Sequence, residues 1–420
     1  MFIISPSLIN NVEDTRLRAY LKKKSCSEKN ENELTNEWLA RLIESHEIDV
    51  DSLSTFFFDE LMYGKRKYMH IYNINSIRNI KREKDWLDYL SRHNISSMCC
   101  NKILETHPEN SSFEIAAVNS EKHTDNTLSK IRLIYVKKID VQEENSVSKV
   151  FTYLPVEIDL RRKMISVKVY NRRGIINENN TPKNIITSLI DHLTQGMNIS
   201  LGIFKKNPSE VLYKMSKGLM DDFFNKIPNM DKLIDLDKKI DAFISEVSGR
   251  EIFENKEIIN ISGKEYCSLN KDVIDLKSEI GFLLQQAMVF DYFFDKDIEI
   301  ILDELDIILV CLRFNDKDNV TASLAGENRR KALFDSKTLM SLRRSMDLVK
   351  SLSYITICYR KEKGVMKVKY DTSDPNYLGI HILSQRYFGE EDYKRIWEIY
   401  RSYESDDVKN VRKLPSKKVS

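Results

Sequence analysis

The first hundred residues alternate between helical and extended hydrophobic patterns. Glu33–Ser45 carries Trp38 and Leu42 at helical spacing, which predicts an amphipathic helix. Lys67–Ile74 instead shows two unlike faces with a period of two, which predicts a strand. Helical spacing returns over Ser97–Thr106. We therefore predict a mainly helical N-terminal segment that contains one early strand.

A different pattern governs the next sixty residues. From Phe113 to Val169 the apolar positions recur with a period of two and β-branched residues are frequent, which predicts an antiparallel meander. Its clearest hairpin joins Tyr153–Asp159 to Met164–Tyr170. The turn between these strands presents three cations, which are Arg161, Arg162 and Lys163.

Helical patterns resume after Gly174, and Pro182 suits the first position of a helix. Near the C-terminus the pattern predicts a helix over Lys337–Lys350. Two predicted strands follow it directly, Tyr354–Arg360 and Val365–Tyr370, with a basic tip between them. Helix, helix and basic hairpin is the element order of a winged-helix unit.

These patterns assign the chain to the α+β class. Because 420 residues exceed the size at which one hydrophobic core stops growing, we predict several domains. Residues 1–175 form a helical N-terminal part with an antiparallel β meander, and residues 176–318 a mainly helical, partly acidic middle. Residues 319–420 form a basic, winged-helix-like α+β unit.

Composition restricts the class of protein further. The chain is 41% hydrophobic and 31% charged, as expected of a folded protein. No apolar run approaches the roughly 20 residues of a membrane helix, and the N-terminus lacks the basic flank and cleavage site of a secretion signal. Six scattered cysteines fit neither a disulfide framework nor a metal knuckle. We expect a cytoplasmic protein without membrane contact, metal or cofactor.

Charge is distributed in blocks although the formal net charge is only +2. Residues 161–220 contain 11 Lys/Arg against 3 Asp/Glu, and residues 311–420 contain 23 against 15, so each block has a net charge of +8. Residues 231–310 contain 9 against 19, a net of −10. Basic blocks of this kind bind a polyanion, dock on an acidic surface or solvate helices.

The C-terminal helix and hairpin are the first candidate nucleic-acid contacts. An apolar stripe on the helix leaves its cations largely outward, so that the helix could enter a groove while the hairpin contacts phosphates. The alternative is an ordinary solvated face on a small α+β unit. The candidate residues are Lys337, Arg343, Arg344, Lys350, Lys361 and Lys363.

A second candidate combines the basic turn of the meander with two arginines that follow it. Charged hairpin tips also serve to block edge-to-edge pairing of sheets, which is the structural alternative. The residues are Arg161, Arg162, Lys163, Arg172 and Arg173. Tyr68, His70 and Tyr72 on the early strand, next to Lys65-Arg66-Lys67, offer a stacking surface or the edge of a core.

Signals for catalysis are incomplete. The nearest approach to a metal-dependent nuclease is Glu157 and Asp159 followed by Ser166 and Lys168, where serine replaces the second carboxylate. Neither the phosphate loops, the nucleophile elbow nor the zinc-hydrolase spacing occurs. The acidic residues between Asp291 and Asp306 fit a solvated or docking face better than a metal site.

Three hypotheses follow. The first is a non-enzymatic nucleic-acid-binding protein that contacts phosphates through basic helix and hairpin elements. The second is a protein-interaction or scaffold subunit, with a partner or a second copy bound through the acidic segment 231–310. The third is a metal-dependent nuclease with a dispersed site. Salt-dependent binding, a stable protein complex and chelator-sensitive activity, respectively, would distinguish them.

Overall fold

The structure, a computed structural model, describes residues 3–404 except 144–145, 228–231, 250–253, 262, 271–274, 294–300, 302, 316–320, 326–332, 334–336 and 362–363. The fold belongs to the α+β class, with antiparallel strand pairing, as the sequence predicts. Two compact units form it. Unit 1 contains Met1–Pro208 and Val368–Ser402, and unit 2 contains Ser209–Lys367 and continues from Tyr403. The three-part division at 175 and 318 remains a prediction.

Unit 1 is built on a sheet whose strands run in the order β14-β1-β6-β5-β4-β3-β2. Its strands are β1 (Tyr68–Ile74), β2 (Cys100–Asn101), β3 (Glu114–Lys122), β4 (Leu128–Glu143), β5 (Ser146–Asp159), β6 (Met164–Val169), the short β7 (Leu201–Gly202) beside β1, the C-terminal part of β13 (Gly364–Asp371), and β14 (Leu378–Ile382). Its helices are α1 (Pro6–Asn10), α2 (Asp14–Lys23), α3 (Thr35–Glu44), α4 (Val50–Met62), α5 (Glu83–Ser91), α6 (Pro182–Met197) and α11 (Glu390–Ser402).

The predicted meander is confirmed as β3 to β6. Asp159 pairs with Met164, so the hairpin turn lies at Leu160–Lys163 as expected, and Lys163 adopts a positive φ of 55° within it. The helix predicted over Ser97–Thr106 is wrong, because that segment contains the two-residue strand β2.

Helices cover both faces of the central strands in unit 1. Because side chains alternate across a strand, Val156 and Ile158 join the core beneath α5 and α6, together with Trp86. The intervening Glu157 points to the opposite face, where α4 packs against β5 and Glu390 of α11 lies 3.8 Å from Arg132. The neighbouring side chains on that face of the sheet are also buried, so both faces of these strands lie in the protein interior.

Unit 2 contains the remaining elements. Its helices are α7 (Pro208–Phe224), α8 (Lys232–Gly249), α9 (Leu276–Phe293) and α10 (Lys337–Val349), and its strands are β8 (Lys256–Ile261), β9 (Lys264–Leu269), β10 (Ile307–Asn315), β11 (Thr321–Ala325), β12 (Tyr354–Lys361) and the start of β13. The C-terminal helix and the two strands after it are confirmed in position. β12 also pairs with β10, through Ile308 and Cys358, so the hairpin belongs to a larger sheet. The winged-helix likeness remains a prediction.

None of the described helices combines the length and the apolar character that a membrane span requires.

Candidate anion-binding pocket

A pocket of about 400 Å³ lies in unit 1, where the N-terminal helices meet the segments that flank β1 and β6. Its wall combines backbone and side-chain polar groups with two cations and one aromatic ring. The lining residues are Ile9, Asn10, Val12, Asp14, Thr35, Lys65, Tyr170 and Arg172.

A fully buried arginine, Arg66, follows Lys65 in the chain and fixes the backbone next to the pocket. The two terminal nitrogens of the Arg66 guanidinium donate to the backbone oxygen of Asn11 and, over 2.8 Å, to its side-chain Oδ1. The Asn11 amide in turn donates to the carbonyl oxygens of Ser7 and Phe151, at 2.8 and 2.9 Å. These bonds attach the junction of α1 and α2 to β5, because a buried polar group is strongly disfavoured without partners.

Lys65 reaches the pocket from the turn that ends α4. Gly64 adopts a φ of +47°, and a Cβ there would lie 2.8 Å from the Glu60 carbonyl oxygen, so the turn requires glycine. The Lys65 ammonium donates to the Asn10 carbonyl oxygen at 3.0 Å and lies 5.7 Å from the centre of the Tyr170 ring. One donor of the ammonium is therefore used by the protein.

Arg172 enters from the segment after β6. Its guanidinium carbon lies 5.5 Å from the Tyr170 ring centre, and its Nη2 is buried without a hydrogen-bond partner among the described residues. Gly174 fixes this segment against β4, since its carbonyl accepts from Gln142 at 2.7 Å. With a φ of +74°, a Cβ at Gly174 would lie 2.4 Å from the Gln142 oxygen, so only glycine fits.

Positive charge accumulates around the pocket. Burial lowers the pKa of Lys65, and the neighbouring Arg66 and Arg172 lower it further, although Glu13 opposes them. Burial, together with Arg172, lowers the pKa of Arg66 to about 9. Burial likewise lowers the pKa of Arg172, against the influence of Tyr170 and Glu143. Like charges held close together in a partly desolvated site favour a bound anion.

The carboxylate in the pocket wall has its own partner. Asp14 forms an ion pair of 2.7 Å with Arg18, one helical turn further along α2. Because this pair is exposed, the Asp14 charge is screened by solvent as well as by Arg18. Asp14 still raises the pKa of Lys65, although less than Glu13 does.

No protein-family model, curated protein sequence or solved structure matches the chain.

The residues of the basic turn lie apart from the pocket. Arg161 and Lys163 are exposed, Arg161 lies 3.3 Å from a ring nitrogen of His123, and Arg162 forms an ion pair of 3.5 Å with Asp159. The six residues of β6 separate this turn from Arg172, a span of about 20 Å at about 3.3 Å per residue. The predicted second candidate thus divides into two places on unit 1. The exposed Arg173 lies at the pocket end.

Arg343 in unit 2 differs from its predicted outward position. Its side chain is only 15% exposed, and its guanidinium carbon lies 5.2 and 5.3 Å from the ring centres of Phe224 and Phe282. Gln285 accepts a hydrogen bond from it at 3.3 Å, and Asp221 lies at 3.9 Å. The predicted outward position is wrong because Phe224 of α7 and Phe282 of α9 cover this face of α10. Arg343 has the contacts of a packing residue.

The remaining C-terminal candidates are only partly described. Lys350 is exposed at the end of α10, with a φ of 53°, and Lys361 is half-buried. Lys337 and Arg344 lie on the α10 backbone, but their side chains fall outside the described residues, as does Lys363. Their role as phosphate contacts remains a prediction.

The incomplete nuclease motif forms a closed ionic cluster. Glu157 of β5 lies opposite Ser166 of β6 in the strand register. Arg132 donates a hydrogen bond of 3.1 Å to the Glu157 carboxylate. The ammonium of the fully buried Lys168 lies 4.6 and 4.4 Å from the ring centres of Tyr63 and Tyr393. Cations thus surround the carboxylate that a metal would need. Among the described residues no group of three or more His, Cys, Asp or Glu could hold a metal ion.

The aromatic face of β1 is occupied from within. The ring of the fully buried His70 stacks on Tyr377 at 3.7 Å, and Tyr68 stacks on His381 at 4.1 Å. Burial lowers the pKa of His70 to about 3, so this ring is neutral at physiological pH. One face of each stacked ring is therefore already used by the protein, which favours the core interpretation of Tyr68, His70 and Tyr72.

Sequence reasoning placed Arg172 in the candidate set but missed Lys65 and Tyr170 as its neighbours. More than a hundred positions separate Lys65 from Arg172, so no local spacing joins them. The only available signal was the run Lys65-Arg66-Lys67 just before a predicted strand.

Proposed function

We propose that this protein binds nucleic acid through phosphate contacts, and that the pocket between Lys65 and Arg172 is the principal contact in unit 1. The observation that carries the proposal is a pocket lined by two cations, Lys65 and Arg172, in which a guanidinium nitrogen of Arg172 is buried without a partner among the described residues. A phosphate oxygen supplies both the charge and the hydrogen-bond acceptor that such a site lacks.

The two wall cations contribute in different ways. Arg172 offers a planar fork of N–H groups, which suits two phosphate oxygens at once. Lys65 offers a compact charge with donors that remain after its bond to the Asn10 carbonyl. A rigid fork beside an ammonium is a common combination for recognition of phosphate.

The exposed basic turn supports a polymeric ligand over a small anion. Arg161 and Lys163 lie about 20 Å along β6 from the pocket, on the same unit. A strand of nucleic acid bound at the pocket carries phosphates in series and has the length to meet the turn as well, whereas a small anion does not. The turn then adds affinity that depends on salt.

Fluorescence anisotropy with labelled single- and double-stranded DNA and RNA tests the proposal. We expect the affinity to fall with rising salt, and Lys65→Ala and Arg172→Ala each to weaken binding by a factor of about 10 to 100, since a hydrogen bond to a charged group contributes about 1.5–3 kcal/mol. Each variant should also reduce the slope of log affinity against log salt by about 0.7–0.9.

Matched controls are Lys84→Ala and Arg92→Ala, which remove exposed cations on and just after α5. They should leave the affinity nearly unchanged. Absence of binding at low salt, or equal losses in pocket and control variants, would contradict the proposal. The first of those outcomes would favour the protein-interaction hypothesis instead.

A further inference from the structure

We infer that the pocket receives the terminal phosphate of a nucleic-acid strand, rather than a phosphodiester within the strand. This inference rests on the proposed function and specifies the ligand of the same site. Three features of the pocket carry it: its size, the number of cations around it and the polar groups of its wall.

Size favours a chain end. A volume of 400 Å³ corresponds to a sphere about 9 Å across, within the range of small-molecule sites. The major groove of B-DNA alone is about 12 Å wide, so a duplex is too large to enter such a pocket. Proteins that bind the interior of a single strand use an extended groove that follows the backbone. A pocket of this volume instead has room for one phosphate and part of its nucleoside.

Charge favours the same ligand. A phosphomonoester carries a charge of about −1.5 to −2 at neutral pH, whereas a backbone phosphodiester carries one negative charge for its single ionised oxygen. Lys65 and Arg172 both line the pocket, and Arg66 is buried next to Lys65. Burial and the two arginines lower the pKa of Lys65, while Glu13 and Asp14 partly oppose them. A dianion relieves more of this mutual repulsion than a monoanion does. The site therefore discriminates between the two phosphate classes by charge as well as by space.

The wall also has neutral polar residues beside the cations. Asn10 and Thr35 line the pocket together with Asp14, whose exposed carboxylate is paired with Arg18. Amide, hydroxyl and carboxylate groups are suitable partners for the hydroxyls of a terminal sugar. The pocket thus offers cations for the phosphate and neutral or acidic groups for the attached nucleoside within one wall.

The test compares one oligonucleotide sequence with four ends: 5′-phosphate, 5′-hydroxyl, 3′-phosphate and 3′-hydroxyl. We expect at least one phosphorylated end to bind about tenfold more tightly than its hydroxyl counterpart. Arg172→Ala and Lys65→Ala should remove that difference, while Lys84→Ala retains it. A nucleoside monophosphate should compete for the tighter binding, and inorganic phosphate should compete less well because it lacks the nucleoside contacts.

The outcomes separate the two proposals. If phosphorylated and hydroxyl ends bind equally tightly and the pocket variants weaken both, the terminal-phosphate inference is wrong and the proposed function stands. If neither end binds at low salt, the proposed function is wrong as well. If inorganic phosphate competes as well as the nucleoside monophosphate, the pocket recognises the free anion rather than a strand end, which also overturns the inference.

Discussion

Replacement of Lys168 by methionine should change how the stability of unit 1 depends on pH. Lys168 is fully buried on β6, and its ammonium lies between the rings of Tyr63 and Tyr393. Burial lowers its pKa from 10.5 to about 8, with a smaller opposing effect of Glu157. The variant keeps Glu157 paired, because Arg132 still donates to it.

The magnitude follows from the two pKa values. Below pH 8 Lys168 is charged in both the folded and the unfolded chain, and its burial costs about 3 kcal/mol, since one pKa unit corresponds to 1.36 kcal/mol. As the pH rises through 8, the folded chain releases this proton first and the cost declines until about pH 10.5. Between pH 7.5 and 9.5 the wild-type protein should therefore gain about 2 kcal/mol from this group.

Urea unfolding at pH 7.5, 8.5 and 9.5 measures this effect as a difference between proteins. The free energy of unfolding of wild type should rise relative to that of Lys168→Met by about 2 kcal/mol across the series. Lys84→Met, at an exposed position on α5, should run parallel to wild type. Parallel curves for Lys168→Met and wild type would refute the assignment of a depressed pKa to the buried ammonium.

Two further substitutions test the local geometry. Gly174→Ala should lower the free energy of unfolding by about 1–3 kcal/mol and weaken oligonucleotide binding, because the new Cβ meets the Gln142 oxygen at a φ of +74°. The control is Gly281→Ala in α9, whose Cβ meets nothing within 4 Å and which should be neutral or stabilising by up to about 1 kcal/mol. Equal effects of the two substitutions in urea titrations would refute this contrast. Arg343→Glu should lower the free energy of unfolding by about 1–3 kcal/mol, because the variant loses the contacts with Phe224 and Phe282 and places a second carboxylate near Asp221. Unchanged stability would return Arg343 to the set of solvent-facing phosphate contacts.

The features that the sequence could predict are those with a local signal. The meander and its turn at Leu160–Lys163 follow from alternation and from a cluster of polar residues between two apolar runs. The C-terminal helix and strands follow from equally local periodicity. The α+β class needed nothing more than these elements.

Features that depend on contacts between distant segments could not be predicted. Alternation on β6 assigns Lys168 to a polar face and so predicts an exposed side chain, but Tyr63 at the end of α4 and Tyr393 of α11 cover it. The apolar stripe along α10 likewise predicts that Arg343 faces solvent, but Phe224 of α7 and Phe282 of α9 lie against its guanidinium. In both cases a second layer of helices converts a surface position into a buried one.

The pocket has the same origin. Lys65 and Arg172 lie side by side because β1 and β6 are antiparallel neighbours, which brings the start of one strand to the end of the other. The two residues are more than a hundred positions apart in the sequence, so no local pattern contains both of them. The fold, rather than any motif, assembles the candidate site.

Chemical footprinting of Lys65 tests the central claim most directly. An amine with a lowered pKa is deprotonated more readily and therefore acylates more readily, so Lys65 should react in the free protein. Mass spectrometry then compares its labelling with that of Lys84, with and without a saturating 5′- or 3′-phosphorylated oligonucleotide. We expect the oligonucleotide to protect Lys65 and to leave Lys84 unchanged; equal labelling of Lys65 with and without a bound oligonucleotide would contradict the assignment of the pocket as the phosphate site.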